Sequence, residues 1–157
     1  FIIIALSLLL FMGSSDERIR GVFISDSVKT LEYLKNNAIV SDEWIRRNEQ
    51  IFGKNILIIN RYIITQIIVP HTLDNFPVKG EKSIIKGTVK KSFYFTRSIG
   101  NKNELFIFGL ESIWNRNIDN MVVEKLQMSE DGFWVSPDTL LVPAKAKEKF
   151  IRIPDIR

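Results

Sequence analysis

The single histidine of the chain, His71, is the first residue to consider for chemistry, because imidazole is the side chain that most often transfers protons near neutral pH. Asp74 follows it closely, but a zinc site needs three or four ligands, and one histidine with one carboxylate does not supply them. A Ser-His-Asp triad needs a positioned serine, and the sequence has no Gly-x-Ser-x-Gly motif. Because it lies between Pro70 and Pro77, His71 is predicted to occupy a partly exposed loop with only local hydrogen bonds.

Three further patterns carry polar residues that could act in a site. The segment Gly80–Ser83 lacks both the Gly-Lys-Ser order and the upstream glycine of a phosphate-binding loop. Asp131-Gly132 indicates a turn, since the remainder of a calcium-binding loop is missing. Glu111 and Asp119 could act as an acid–base pair only if folding brings them together, which their spacing does not show. We therefore predict no catalytic residue, no metal site and no cofactor, and we expect a protein that is not an enzyme.

Aromatic and basic side chains are the residues that most often contact partners, and the candidate binding residues are of these types. Trp114 and Arg116 stand two positions apart in a polar stretch, although packing of Trp114 in the core is the alternative. Tyr94 and Trp134 complete the set. We predict that these four residues contact a small apolar ligand or a protein partner.

The chain opens with an uncharged apolar run, Phe1–Met12, and its first charged residue is Asp16. This pattern is typical of the apolar part of an export signal, with Gly13–Ser15 as a small-residue cleavage site. An uncleaved membrane anchor is the alternative, because a longer run of roughly 20 apolar residues spans a bilayer. We predict that residues 1–15 form an export signal or anchor and that residues 16–157 form a single β-rich domain, periplasmic or secreted.

The chain contains no cysteine, which excludes disulfides, thiol catalysis and zinc–thiolate sites. A domain of about 140 residues buries roughly two-thirds of its unfolded surface and needs no cross-link. The absence of cysteine is therefore compatible with a stable exported domain.

Helical spacing of apolar residues comes first along the chain, and strand-like alternation follows it. Helices are predicted over Ser25–Asn37, with Ser25 or Asp26 as its cap, and over Ser41–Phe52, with Ser41 as N-cap and Gly53 as its stop. From Asn55 onward, short apolar runs separated by turn residues predict strands, the first two of them joined by a tight turn or merged into one bent strand. The predicted strands are Ile56–Ile59, Tyr62–Ile64, Ser83–Thr96, Glu104–Glu111, Met121–Met128, Phe133–Val135, Leu140–Val142 and Lys149–Ile153. The predicted fold class is α+β, mainly β: an antiparallel meander or small barrel with two short N-terminal helices.

The two predicted strands on either side of residues 98–103 suggest a hairpin with a defined register. In this register Phe95 lies opposite Phe106, and Phe93 lies opposite Phe108. Cross-strand aromatic pairs stabilise a sheet, and we predict that these four phenylalanines are buried on its concave side.

The same register pairs opposite charges on the outer face of the hairpin. It sets Lys90 opposite Glu111, and it sets Arg97 opposite Glu104 near the loop. We interpret the basic and acidic segments flanking the loop as neighbouring strands that neutralise each other's charge. Since the chain also has no nucleic-acid-binding motif, we predict no nucleic-acid partner.

The closing stretches Asp131–Val135, Leu140–Pro143 and Phe150–Arg152 resemble the last strands of small exported bacterial lipocalin-like proteins, which often end in a hydrophobic strand closing with Phe-x-Arg. The resemblance covers under a fifth of the chain, and the Gly-x-Trp motif near the start of lipocalins is absent. What it implies is a β-barrel-like fold.

These observations lead to two functional hypotheses. The first is an exported, non-enzymatic binding protein, of which a lipocalin-like carrier of a small apolar ligand is one form. The alternative is an inhibitor or immunity-type protein that blocks a secreted enzyme or toxin. A hollow apolar barrel favours the carrier, whereas a filled core with an exposed aromatic-acidic loop favours the inhibitor, and carboxylates converging in a cleft indicate an enzyme. A membrane partner is expected only if the N-terminal segment is uncleaved.

Overall fold

The structure is a computed structural model, which describes residues 17–37, 41–74, 80–99, 102–109, 121–137 and 146–154. A short 3-10 turn at Glu17–Ile19 leads into the first strand, and two helices follow, α1 (Ser27–Asn37) and α2 (Asp42–Asn48). The strands are β1 (Gly21–Ser25), β2 (Asn55–Ile59), β3 (Ile63–Ile68), β4 (His71–Asp74), β5 (Lys82–Ile85), β6 (Thr88–Ile99), β7 (Lys102–Gly109), β8 (Met121–Ser129), β9 (Gly132–Pro137) and β10 (Glu148–Arg152).

Eight of these strands form a closed antiparallel barrel in the order β1-β10-β9-β8-β7-β6-β3-β2. Successive barrel strands are neighbours, and β4 and β5 form a separate two-stranded hairpin between β3 and β6. The barrel closes where β1 pairs with β10. The predicted class, mainly β with two short helices, is confirmed, and the meander takes its closed form.

The helices begin where the sequence supplies a capping side chain. Asp26 accepts a hydrogen bond from the backbone N–H of Lys29 at 3.0 Å, and Ser41 accepts one from Trp44 at 3.1 Å. Of the two predicted caps of the first helix, Asp26 is confirmed, whereas Ser25 is the last residue of β1. The second helix ends earlier than predicted: its C-cap is Glu49, and a turn follows before β2.

Two predicted hairpins are present in the structure. Strands β2 and β3 are separate and pair on either side of the Asn60–Tyr62 turn, so the alternative of one bent strand is wrong. Strands β6 and β7 have the predicted register, with Phe95 opposite Phe106 and Arg97 opposite Glu104. The Arg97 guanidinium contacts the Glu104 carboxylate at 2.6 Å. The predicted strand Leu140–Val142 lies outside the described residues.

The side of the sheet predicted for Phe95 and Phe106 is wrong, although Phe106 is buried as predicted. Residues directly opposite in an antiparallel ladder point to the same side, and the neighbouring pair Tyr94–Ile107 points into the barrel. Phe95 and Phe106 therefore lie outside, where their rings stack with centroids 4.5 Å apart. Both faces of these strands carry apolar residues, so alternation alone does not decide which face is buried.

The side predicted for Lys90 is also wrong. Lys90 pairs with Gln66 of β3, and this register directs it to the inside of the barrel. The other member of its predicted charge pair, Glu111, lies outside the described residues. The prediction failed for the same reason as for the phenylalanines, since a slip of one residue moves a whole set of side chains to the other face.

The core fills the end of the barrel at which the Asn60–Tyr62 turn lies. Phe133 is central to it, with ring centroids 4.8 Å from Phe23 and 5.6 Å from Phe150. The buried cluster comprises Ile19, Phe23, Ile59, Ile64, Tyr94, Leu105, Leu126, Phe133, Val135 and Phe150. At the opposite end of the barrel the two helices connect the end of β1 to the start of β2. We call this the helix end.

Candidate functional site

A partly enclosed cavity of about 350 Å³ lies inside the barrel toward the helix end. Its apolar wall is formed by inward-facing strand residues: Leu57, Ile64, Leu105, Ile107, Val135 and Phe150. Leu34 of α1 and Trp44 of α2 also line it. The helices therefore contribute directly to the cavity as well as connecting β1 to β2.

Polar side chains also point inward at the helix end, and they come from adjacent strands of the barrel. We call this set the polar arc: Glu148 of β10, Ser25 of β1, Asn55 of β2, Gln66 of β3 and Lys90 of β6. Four of them line the cavity, and Ser25 is buried beside Glu148. Each lies two residues from an inward apolar or small residue of its own strand, which places it on the same face.

Hydrogen bonds connect most of the polar arc. The Ser25 hydroxyl donates to Oε1 of Glu148 at 2.6 Å, and the Asn55 amide donates to the same oxygen at 3.4 Å. The Gln66 amide donates to Oδ1 of Asn55 at 3.3 Å. The backbone N–H of Gly53 donates to the Ser25 hydroxyl at 2.9 Å, which fixes the direction in which that hydroxyl donates. Glu148 is therefore held at one end of a chain of amides.

The electrostatics of Glu148 are dominated by burial. Burial raises the pKa of this carboxyl above its usual 4.5, and the hydrogen bonds from Ser25 and Asn55 oppose that shift. In the described part of the chain, no lysine or arginine nitrogen lies within 4.0 Å of the carboxylate. The neighbouring Lys147 donates to Oε1 of Gln127 at 2.7 Å instead. Among the described residues, Glu148 is thus a half-buried acid without a cation beside it.

Among the residues described as lining the cavity, Glu148 is the one acid. Within the described ranges, no group of three or more histidine, aspartate or glutamate side chains could hold a metal ion. The cavity offers hydrogen-bond donors and acceptors on one side and apolar contacts on the other.

The four candidate binding residues from the sequence are not brought together. Tyr94 is 1% exposed inside the barrel, and its hydroxyl donates to the carbonyl of Asn60 at 2.6 Å. Trp134 is half-buried on the outside, where its ring centroid lies 5.1 Å from that of Tyr33 on α1. Trp114 and Arg116 lie outside the described residues. The barrel wall therefore separates Tyr94 from Trp134, and neither is described as lining the cavity.

His71 lies away from the cavity, in the β4–β5 hairpin. The predicted loop is wrong, because His71 is the first residue of β4 and pairs with Ile85. Its hydrogen bonding is local, as predicted: Nδ1 lies 2.8 Å from the carbonyl oxygen of Val69. The hairpin is fixed to the segment after α2 by Gln50, whose amide makes two hydrogen bonds with the backbone of Asp74, at 2.7 and 3.1 Å.

A second polar cluster lies outside the barrel, under α1. Lys149 donates to Ser129 and to Asp131, and Lys29 of α1 donates to the other oxygen of Asp131. Hydrogen bonds from Lys149 and then Lys29 hold the pKa of the Asp131 carboxyl well below its usual range. A serine beside a lysine is one form of activated nucleophile, but here the lysine is bound to the Asp131 carboxylate, which also binds Lys29 of α1. We interpret this cluster as structural.

Sequence reasoning missed the residues of the polar arc that surround Glu148. Asn55 alternates with Leu57 and Ile59, and Glu148 alternates with Phe150, so polar residues stand in phase with inward apolar ones. A polar residue in phase with the buried face of a strand is the signal that indicates an interior polar site.

No helix in the described part of the chain combines the length and apolar character needed to cross a membrane. Comparison with protein-family models, with curated proteins and with solved structures finds no match for this chain.

Proposed function

We propose that this protein is a non-enzymatic binding protein that holds a small, largely apolar ligand inside its barrel. The observation that carries the proposal is the cavity of about 350 Å³ at the helix end, within the range of roughly 300–1,000 Å³ that is usual for ligand sites. Its walls are mostly apolar, and its few polar groups converge at one place. Barrels of about eight strands hold one small ligand in several carrier proteins, which agrees with the lipocalin-like resemblance of the last strands.

The described core does not extend to the helix end. Phe133 and its neighbours fill the opposite end, whereas Leu57 and Ile107 pack against that core and also line the cavity. Interiors are normally packed to a density that leaves few voids larger than a water molecule. An apolar cavity of this size reduces stability unless a ligand occupies it, and selection for a binding function explains its retention.

The place of action is part of the same proposal. The uncharged run Phe1–Met12 supports export, so we place the ligand in the periplasm or outside the cell. A carrier there has an evident use, because a small apolar molecule dissolves poorly in the aqueous space between membranes.

A matched pair of tryptophan substitutions tests the proposal. Ile107→Trp places an indole in the cavity, and Ile84→Trp makes the same change at a side chain of β5 that is 78% exposed. The probe is N-phenyl-1-naphthylamine, an uncharged dye whose fluorescence rises in apolar surroundings. We expect the wild type and Ile84→Trp to bind it equally, and Ile107→Trp to bind it roughly tenfold more weakly or worse.

Two results contradict the proposal. One is a wild-type protein that leaves the dye fluorescence unchanged. The other is equal dye binding by both tryptophan variants, which places the dye on the surface. Circular dichroism of both variants shows whether the barrel is intact, and Leu105→Phe provides a smaller change in the same wall should Ile107→Trp fail to fold.

A further inference from the structure

We propose that the ligand is a small amphipathic amine, whose ammonium group pairs with Glu148 while its apolar part lies against Leu57 and Ile107. This inference rests on the proposed binding function and names the chemical class of the ligand. It is argued from the position of one carboxyl group, from the absence of a neighbouring cation in the described structure, and from the division of the cavity into two sides.

The first step is the hydrogen bonding of the Glu148 carboxyl. Both of its hydrogen bonds, from Ser25 and from Asn55, go to Oε1. Oε2 receives none from the residues that the structure describes. Since the Glu148 side chain lines the cavity, a ligand donor can complete its hydrogen bonding. Two donors on Oε1 also hold the carboxyl in one orientation before a ligand arrives.

The second step is charge. A buried carboxylate is costly unless a cation or several hydrogen-bond donors compensate it. Two other charged residues line the cavity, Lys90 and Lys147. Lys147 is directed to Gln127, and its ammonium also lies 5.5 Å from the centre of the Tyr33 ring. Lys90 faces Gln66 across the β3–β6 ladder and stays more than 4.0 Å from the carboxylate. A ligand ammonium would supply the cation that these side chains do not.

Polar and apolar side chains line different sides of the cavity. The polar arc occupies β10, β1, β2, β3 and β6, whereas Leu105, Ile107 and Val135 on β7 and β9 are apolar. A ligand with a charged head and an apolar body matches both sides at once. A carboxylate ligand of the same shape would bring a second negative charge next to Glu148, which like-charge repulsion opposes.

Competition with the dye by three six-carbon compounds tests this inference. Hexylamine, hexanol and hexanoic acid share one apolar body and differ only in the head group. At pH 7.5 we expect hexylamine to displace the dye from the wild type at roughly tenfold lower concentration than the other two. Glu148→Gln keeps the size and an acceptor of the side chain but removes the charge. In this variant we expect dye and hexanol binding to persist and the preference for the amine to disappear.

Lys91→Gln is the matched control, since Lys91 is exposed and its register places it on the outer face of the same strand, away from the cavity. We expect this variant to keep the preference for the amine. A second measurement needs no variant: in the wild type the preference should fall as the pH is lowered towards 4, because Glu148 becomes protonated while hexylamine stays charged.

The outcomes separate this inference from the binding function on which it rests. Equal displacement by all three compounds leaves the binding function standing and overturns the amine inference. A preference for hexanoic acid that Lys90→Gln abolishes also overturns it and indicates an anion site. Failure of the wild type to bind both the dye and the three compounds overturns both proposals. A preference for the amine that persists in Glu148→Gln and at pH 4 shows that Glu148 does not recognise the head group.

Discussion

The Nζ of Lys149 lies 2.5 Å from Oδ1 of Asp131, and the two side chains differ sharply in exposure, at 2% and 44%. The other carboxylate oxygen of Asp131 lies 2.5 Å from Nζ of Lys29 on α1. Asp131 thus joins a buried lysine of β10 to an exposed lysine of the helix. Through this carboxylate, α1 is held against the outside of the barrel.

The loss of this carboxylate should cost more than the loss of the buried lysine. Asp131→Asn leaves the Lys149 ammonium buried with weaker acceptors, so we expect the free energy of unfolding to fall by about 1–3 kcal/mol. The lower part of that range is favoured because Asp131 is partly exposed. Lys149→Met replaces the buried charge with an apolar chain of similar length and should cost less. Urea unfolding of both variants measures the difference, and a greater loss in Lys149→Met contradicts this account.

The same carboxylate predicts a pH dependence of stability. The pKa of Asp131 is lower in the folded protein than its usual 3.8, so its stabilisation is present above about pH 4 and is lost as the pH falls towards the folded pKa. We expect the stability difference between wild type and Asp131→Asn to shrink between pH 4 and pH 2. Thermal unfolding at intervals across that window measures it, and a difference that stays constant would exclude the ionised pair as its source.

Glu148 predicts a pH dependence of the opposite sign. Because its pKa is raised above 4.5, the fold favours the neutral carboxyl, and the stability that this contributes is full below pH 4.5 and declines as the pH rises through the folded pKa. Glu148→Gln removes the decline, so its melting temperature relative to wild type should be higher at pH 8 than at pH 4. Glu32→Gln, on the exposed face of α1, makes the same substitution away from the cavity and is the matched control.

The two sides of the barrel wall can be compared by deleting one phenyl ring from each. Phe133 is 1% exposed in the core, whereas Phe95 is half-buried on the outside. We expect Phe133→Ala to lower the free energy of unfolding by on the order of 3–5 kcal/mol. Phe95→Ala should cost only about 1–2 kcal/mol, because less apolar area returns to water. Equal losses in urea unfolding would favour the concave position that alternation first suggested for Phe95.

Gly132 begins β9 at a point where no side chain fits. A Cβ on this residue would lie 2.1 Å from the carbonyl oxygen of Phe150, so Gly132→Ala must displace the β9–β10 ladder. We expect a loss of stability of about 1–3 kcal/mol or more. Gly80→Ala is the control, since Gly80 also has positive φ but its Cβ would meet nothing within 4 Å. Only backbone strain of about 1–2 kcal/mol should appear there.

Features that depend on neighbouring residues could be predicted from the sequence. Ser41 caps its helix because its side chain meets a backbone N–H three residues away. The pairing of Phe95 with Phe106 follows from a short loop between two alternating strands. Such interactions depend on residues that are close together in the sequence, and so a local pattern is sufficient to predict them.

Features that depend on barrel closure could not be predicted in this way. Both Tyr94 and Phe95 are apolar enough to be buried. Which of them points into the barrel depends on the register of all the strands around the closed barrel. Strand β1 is five residues long and gains its second neighbour only from β10. Glu148 stood among basic residues in the sequence, and only the approach of β10 to β1 brings it to Ser25 and Asn55.

The pairing of β1 with β10 has a consequence for how the chain reaches its folded state. The barrel strands from β2 to β9 can pair in the order of synthesis, but β1 keeps an open edge until Glu148–Arg152 has been made. A sheet that lacks β10 has two unsatisfied edges, and such edges can pair with other copies. Closing so long a loop is slow, and the final strand also delivers the carboxyl of the cavity. Closing the barrel and completing the lining of the cavity are therefore one event.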